Sequence, residues 1–86
     1  MENRITEHEI NGLIDRSERL ISKAGKKTTV MITTLPNGFE ITTSSSCVDP
    51  DNYDQDVGEK ICIQRLRDKL WELEGYALQK KLSEEK

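Results

Sequence analysis

The apolar positions fall into three blocks with different periods. In the first, Ile10, Leu13, Ile14, Leu20 and Ile21 recur at helical spacing, with Ser17 filling the gap and Asp15, Arg16, Glu18 and Arg19 on the other side. Thr6 followed by Glu9 makes a capping box, Ile5 is placed to staple against Ile10, and Ala24-Gly25 reads as the stop. This pattern predicts a helix over residues 6–24.

The second block changes period. Thr28 to Thr34 is nearly all β-branched, which suits a pleated strand better than a helix. Leu35-Pro36-Asn37-Gly38-Phe39 is a turn signal: proline presets the first turn position and Gly38 can take positive φ in a three-residue loop. With Leu35 facing Phe39, Thr33 faces Ile41 and Met31 faces Thr43. Met31, Leu35, Phe39 and Ile41 then form an apolar face, with Val30 and Ile32 on the other. Both faces of the first strand are partly apolar, more than a lone hairpin can bury. The hairpin spans about residues 28–45, and Ser44-Ser45-Ser46 leads into a loop over 46–53.

The third block is the longest. Asp49-Pro50 is a capping pair, and Asp49, Asp51, Asp54 and Asp56 put negative charge where a helix dipole is positive. A helix from about residue 54 to 79 places Cys62, Ile63, Leu66, Leu70, Leu73 and Ala77 on one face. Val57, Ile61, Trp71 and Leu78 lie nearly opposite. A second apolar stripe needs its own cover, either the first helix or another subunit, so these four residues are the interface candidates. Gly75 is positioned to kink or end the helix, and the charged tail 80–86 is expected to fray. The whole is an α+β single small domain: N-terminal helix, antiparallel β-hairpin or small sheet, long C-terminal helix.

Composition narrows the function. The chain has 86 residues, 34% of them charged, and a formal charge of -3, so it lacks the clustered cations of a nucleic-acid binder. No apolar run is long enough for a membrane span, Met1-Glu2-Asn3-Arg4 does not open a signal peptide, and two cysteines are too few for a disulfide framework. A cytoplasmic protein is expected. Catalysis finds little support: His8 is the only histidine and has no Ser or Cys neighbour, and Cys47 and Cys62 read as small core residues. The acidic loop departs from a calcium loop, because Tyr53 stands at a ligand position and the glycine is displaced. No enzyme, metal or cofactor is expected. Lys60, Arg65, Arg67 and Lys69 can pair with Glu59, Asp68, Glu72 and Glu74 along the helix. Alternatively they form an anion site, where arginine grips phosphate and Phe39 or Tyr53 stacks a base.

Asn37-Gly38-Phe39, Cys47-Val48-Asp49-Pro50, Asn52-Tyr53-Asp54, Gly58-Glu59-Lys60-Ile61 and Leu70-Trp71 through Glu74-Gly75-Tyr76 follow one another in a distinctive order. Together they resemble the phage gene-product 49/66 family of small phage and prophage proteins, over about Thr6 to Leu82. That family looks similar to the first-described class of Thoeris anti-defence proteins, nucleotide sponges that sequester signals without cleaving them. The resemblance implies a phage-encoded, non-enzymatic antagonist of host defence in the cytoplasm of the infected bacterium. Its ligand would be a cyclic ADP-ribose type signal or a cyclic oligonucleotide, and its assembly a homo-oligomer built from dimers with pockets between subunits. Phe39, Asn52, Arg65 and Arg67 are the ligand candidates, placed by chemistry and by position within the shared motifs. The run Ile61 to Leu66 departs from the Ala- and Asn-containing stretch expected there, and the short basic Ala24–Lys27 segment alters a pocket rim. The alternatives are a protein–protein inhibitor of a host CRISPR or nucleic-acid enzyme, with the aspartates mimicking phosphate, and a structural or accessory phage protein.

Overall fold

A computed structural model describes residues 4–85. The element order is α1 (Glu7–Asp15), β1 (Glu18–Ala24), β2 (Thr28–Thr34), β3 (Glu40–Ser46), a 3-10 turn (Pro50–Asn52) and α2 (Gln55–Glu84). The three strands form one antiparallel sheet in the order β1-β2-β3. The fold is α+β, with α2 laid across one face of the sheet and α1 beside it.

Turn chemistry sets the sheet register. Leu35 N–H donates to Phe39 O at 2.8 Å, Gly38 N–H to Leu35 O at 2.8 Å, and Asn37 Oδ1 accepts from Phe39 N–H at 3.0 Å. Gly38 sits at φ 93°, the left-handed region that a side chain resists. Thr33 therefore faces Ile41 and Met31 faces Thr43, as the loop length requires. The inward side chains Met31, Leu35 and Ile41 meet Ile10 and Ile14 of α1 and Cys62, Leu66 and Leu70 of α2 in one core. Phe39, expected on that face, is 53% exposed at the tip of the hairpin.

Helix 6–24 is corrected by the structure. The first helix stops at Asp15, and residues 18–24 are a strand paired with β2 along its whole length, from Glu18 opposite Thr34 to Ala24 opposite Thr28. Locally, the Ser17 hydroxyl donates to Leu13 O at 2.6 Å and the Arg19 guanidinium to Ile14 O at 3.0 Å, occupying helix-end carbonyls that a continuing helix would have used. Tertiary pairing then prevails over periodicity: β2 is apolar on both faces and would otherwise be an open edge. Gly25, at φ 71°, turns the β1–β2 hairpin instead of capping a helix. Half of the expected capping box forms: Thr6 Oγ1 accepts from Glu9 N–H at 3.2 Å, while the Glu9 carboxylate accepts from the Thr6 hydroxyl at 3.1 Å instead of from the Thr6 backbone N–H.

The C-terminal expectations also change. α2 runs without interruption through Gly75 and on to Glu84, so residues 80–84 are helix instead of a frayed tail. Met1 to Asn3 and Lys86 lie outside the described residues. At 30 residues, α2 is about 45 Å long, against about 23 Å for a seven-residue strand, so its second half extends past the sheet. The described chain is correspondingly elongated, 55 × 21 × 19 Å.

Candidate functional site

Where α2 starts, the chain makes its densest set of polar contacts. Asp49 caps the 3-10 turn through Asp51 N–H at 3.0 Å, and Asp54 caps α2 through Asp56 N–H at 2.9 Å. Two aspartates of the acidic run thus fix the loop by accepting orphan backbone donors. The loop is tied to the sheet by Lys27, whose ammonium donates to Val48 O at 3.0 Å, and by Cys47 N–H, which donates to Lys27 O at 3.0 Å. Cys47 Sγ donates to Asp49 O at 3.2 Å.

Thr29, fully buried in β2, is the node of this region. Its hydroxyl shares a 2.8 Å hydrogen bond with the Tyr53 hydroxyl, and its carbonyl accepts from Cys62 Sγ at 3.8 Å. Gly58 of α2 presses against it so closely that a Cβ there would lie 2.2 Å from Thr29 Oγ1. Only glycine permits this approach of helix to strand. Lys23 from β1 sits over the Tyr53 ring at 4.7 Å from its centre, a cation–π contact.

Between these ties lies a cleft of about 120 Å³, lined on the sheet side by Lys27, Ser45, Ser46 and Cys47, on the loop side by Asn52 and Tyr53, and on the helix side by Val57 and Ile61. The lining offers hydroxyls, an amide and a nearby ammonium over an apolar lip, chemistry suited to a small polar or anionic group. Ligand sites for drug-sized molecules commonly occupy about 300–1,000 Å³. This cleft is smaller than that. Among the described residues, no group of three or more His, Cys, Asp or Glu side chains is arranged to hold a metal ion.

The four sequence-derived ligand candidates are not brought together in one chain. Asn52 lines the cleft, and its side chain makes no hydrogen bond among the described residues. Phe39 stands at the hairpin tip beside Leu73 and Ala77. Arg65 donates to Ser44 O of β3, whereas Arg67 donates to Asn11 Oδ1 of α1, so the two guanidinium groups brace opposite flanks of α2. The cations beside the cleft are instead Lys23 and Lys27, which sequence reasoning assigned to a helix and a rim. Thr29 and Ser45 were missed as well. The alternation of β2 and β3 carried the only signal for them, since it puts both on the inward row with Lys23.

The interface candidates divide. Val57, Ile61 and Trp71 are 51%, 37% and 38% exposed, so α1 does not wrap over them; Leu78 is half-buried. Val57 and Ile61 belong to the cleft, Trp71 and Leu78 to a groove farther along α2.

The cleft gathers Cys47, Asn52-Tyr53-Asp54, Gly58 and Ile61, which are motif residues dispersed in the sequence. Residues 3–82 match the family described as "Phage protein (N4 Gp49/phage Sf6 gene 66) family". The chain belongs to that family. No curated protein and no solved structure matches this phage protein. Among the described residues of this family member, no helix is long and apolar enough to cross a membrane.

Proposed function

We propose that this phage protein works by binding without turnover, taking up a small cyclic nucleotide signal of the host, of the cyclic ADP-ribose or cyclic oligonucleotide type, and so antagonising host defence. The observation that carries the reading is the cleft at the head of α2, where the motif residues converge with the Ser45 and Ser46 hydroxyls and the Asn52 amide next to Lys23 and Lys27. A phosphate would meet the lysines and the Ser45–Ser46 hydroxyls, and a ribose or base edge would meet the Asn52 amide. Val57 and Ile61 would cover an apolar ring face. Because one chain encloses about 120 Å³, a second subunit would complete the pocket. Nothing at the cleft pairs a nucleophile with a base: His8 lies on α1 beside Glu74 and Arg16.

Native mass spectrometry with a panel of cyclic nucleotides and ADP-ribose isomers tests this. The protein should gain one intact ligand mass per pocket, with no hydrolysed product. Asn52→Ala should lower ligand affinity by about tenfold or more, since Asn52 carries no fold contact through its side chain. Uptake that is unchanged in Asn52→Ala would remove the cleft as the site.

A second reading has one observation in its favour. Asp49, Asp51, Asp54 and Asp56 are all exposed, as a phosphate-mimicking inhibitor of a host nucleic-acid enzyme requires. Asp49 and Asp54 already serve as caps, which leaves Asp51 and Asp56 as the carboxylates available to a partner. Asp51→Asn with Asp56→Asn would abolish that inhibition and spare nucleotide uptake.

A further inference from the structure

The sheet has two edges, and the chain treats them differently. The bonds from Leu35 N–H to Phe39 O and from Cys47 N–H to Lys27 O fix which residues of β2 bond to β3, every second one from Lys27 to Leu35. Residues 28, 30, 32 and 34 therefore bond to β1. Ser44 turns its backbone to the far edge of β3, where its carbonyl accepts from Arg65. By the same alternation Arg19, Ile21 and Lys23 turn their backbone N–H and C=O groups away from β2, to the outer edge of β1. Among the described residues no strand lies beyond that edge, and β1 is exposed except at Ile21.

Charge gathers on the same edge. Residues 16–27 hold Arg16, Arg19, Lys23, Lys26 and Lys27 against Glu18, in a chain of formal charge -3. Arg19 donates to Ile14 O at 3.0 Å and Lys23 lies over the Tyr53 ring at 4.7 Å, and neither has a carboxylate partner among the described residues.

We infer that this edge takes up an acidic, extended segment of a protein partner as a fourth, antiparallel strand. The register states what that segment looks like. Arg19, Ile21 and Lys23 lie on the helix side of the sheet, where Ile21 packs against the core. The added strand presents a carboxylate opposite Arg19, an apolar residue opposite Ile21 and a second carboxylate opposite Lys23, in the pattern acidic-x-apolar-x-acidic. On the outer side its intervening residues lie beside Leu20, which is 68% exposed.

Two other occupants fit less well. A second copy of β1, paired antiparallel about Ile21, would set Arg19 against Lys23 at both ends, and like charges directly opposite destabilise a strand pair. A single-stranded nucleic acid would meet the cations, but its phosphate backbone has no donors for the carbonyls of residues 19, 21 and 23. Tyr53, which could stack a base, is already covered by Lys23. The strand addition does not depend on what the cleft binds.

Residue-resolved amide exchange by NMR, on the full chain titrated with the blocked peptide Thr-Glu-Thr-Ile-Thr-Glu-Thr, tests it. The amides of Arg19, Ile21 and Lys23 should gain at least about tenfold protection at saturation, while Leu20 and Ser22, already bonded to β2, change little. The same peptide with lysine for both glutamates should not bind. Arg19→Glu should weaken the original peptide about tenfold, because an attractive contact turns repulsive. Lysine in place of the peptide's C-terminal glutamate, which faces residue 19, should restore binding to that variant. Binding without protection at the three amides would reduce the edge to an ionic patch and overturn the proposal. So would the absence of binding, which would make the cations a guard against strand pairing, or preferential uptake of an oligodeoxythymidylate. A lysine peptide that fails to rescue Arg19→Glu would overturn the register.

Discussion

Gly58 and Gly75 stand seventeen residues apart on the same helix and do opposite things. At Gly58 a Cβ would strike Thr29 Oγ1 at 2.2 Å and Thr29 Cβ at 2.8 Å, whereas at Gly75 nothing lies within 4 Å. The first glycine is demanded by packing within the chain. The second has no such reason, yet it lowers helix stability by about 1 kcal/mol relative to alanine. The contrast extends to the surroundings. The first half of α2 is capped by Asp54, buried along Gly58, Cys62, Leu66 and Leu70, and docked on β2 and β3. The second half projects past the sheet with Trp71 and Tyr76 exposed. A helix half whose sequence is explained by its own fold carries the cleft, and the other half keeps Trp71 and Tyr76 exposed around a glycine that the chain's own packing does not demand.

Three substitutions probe that division. Gly58→Ala should have the largest effect. The gain of about 1 kcal/mol in helix propensity is outweighed by overpacking against Thr29, for a net loss of about 2 kcal/mol in denaturant unfolding, together with loss of the Tyr53 tie. Wild-type stability in that variant would break the comparison at its firm end. Thr33→Val should act in the opposite direction. Thr33 is fully buried under α2 with no hydrogen-bond partner for its hydroxyl, so replacing the hydroxyl with a methyl should stabilise by about 1 kcal/mol. A loss of stability would mean that the α2–sheet contact relies on a bond to Thr33. Gly75→Ala should be the mildest. Nothing lies within 4 Å of a Cβ there, so unfolding should gain up to about 1 kcal/mol from helix propensity. A loss of stability would mean that the chain does pack closely at Gly75.

The same contrast explains what could be read in the sequence. The β2–β3 hairpin was legible to the residue, because Pro36-Asn37-Gly38 allows few loop geometries and the loop length sets the pairing. The start of α2 and its buried stripe were legible for a similar reason: caps and periodicity agree there. β1 was not. It is exposed except at Ile21, so its own alternation is nearly silent, and Leu20 and Ile21 happen to continue the spacing of α1. The indirect sign was in β2, whose two apolar faces need a neighbour on each side. For the site, Asn52 and the motif loop were within reach of sequence reasoning. Thr29, Ser45, Lys23 and Lys27 come to the cleft only through the β1–β2–β3 register, which a helix over residues 6–24 conceals. Arg65 and Arg67 looked like one basic group because they are two apart in sequence, but a 100° step per residue sends them to opposite flanks of α2.

Peptide-resolved hydrogen exchange, run with and without the nucleotide panel, tests the division of α2 most directly. Without ligand, residues 55–66, which dock on the sheet, should exchange more slowly than 71–84. A bound nucleotide should add protection over 27–29, 45–54 and 55–61 and leave 71–84 unchanged. Equal exchange in the two halves of α2, or ligand protection over 71–84 with none at the cleft, would contradict the account.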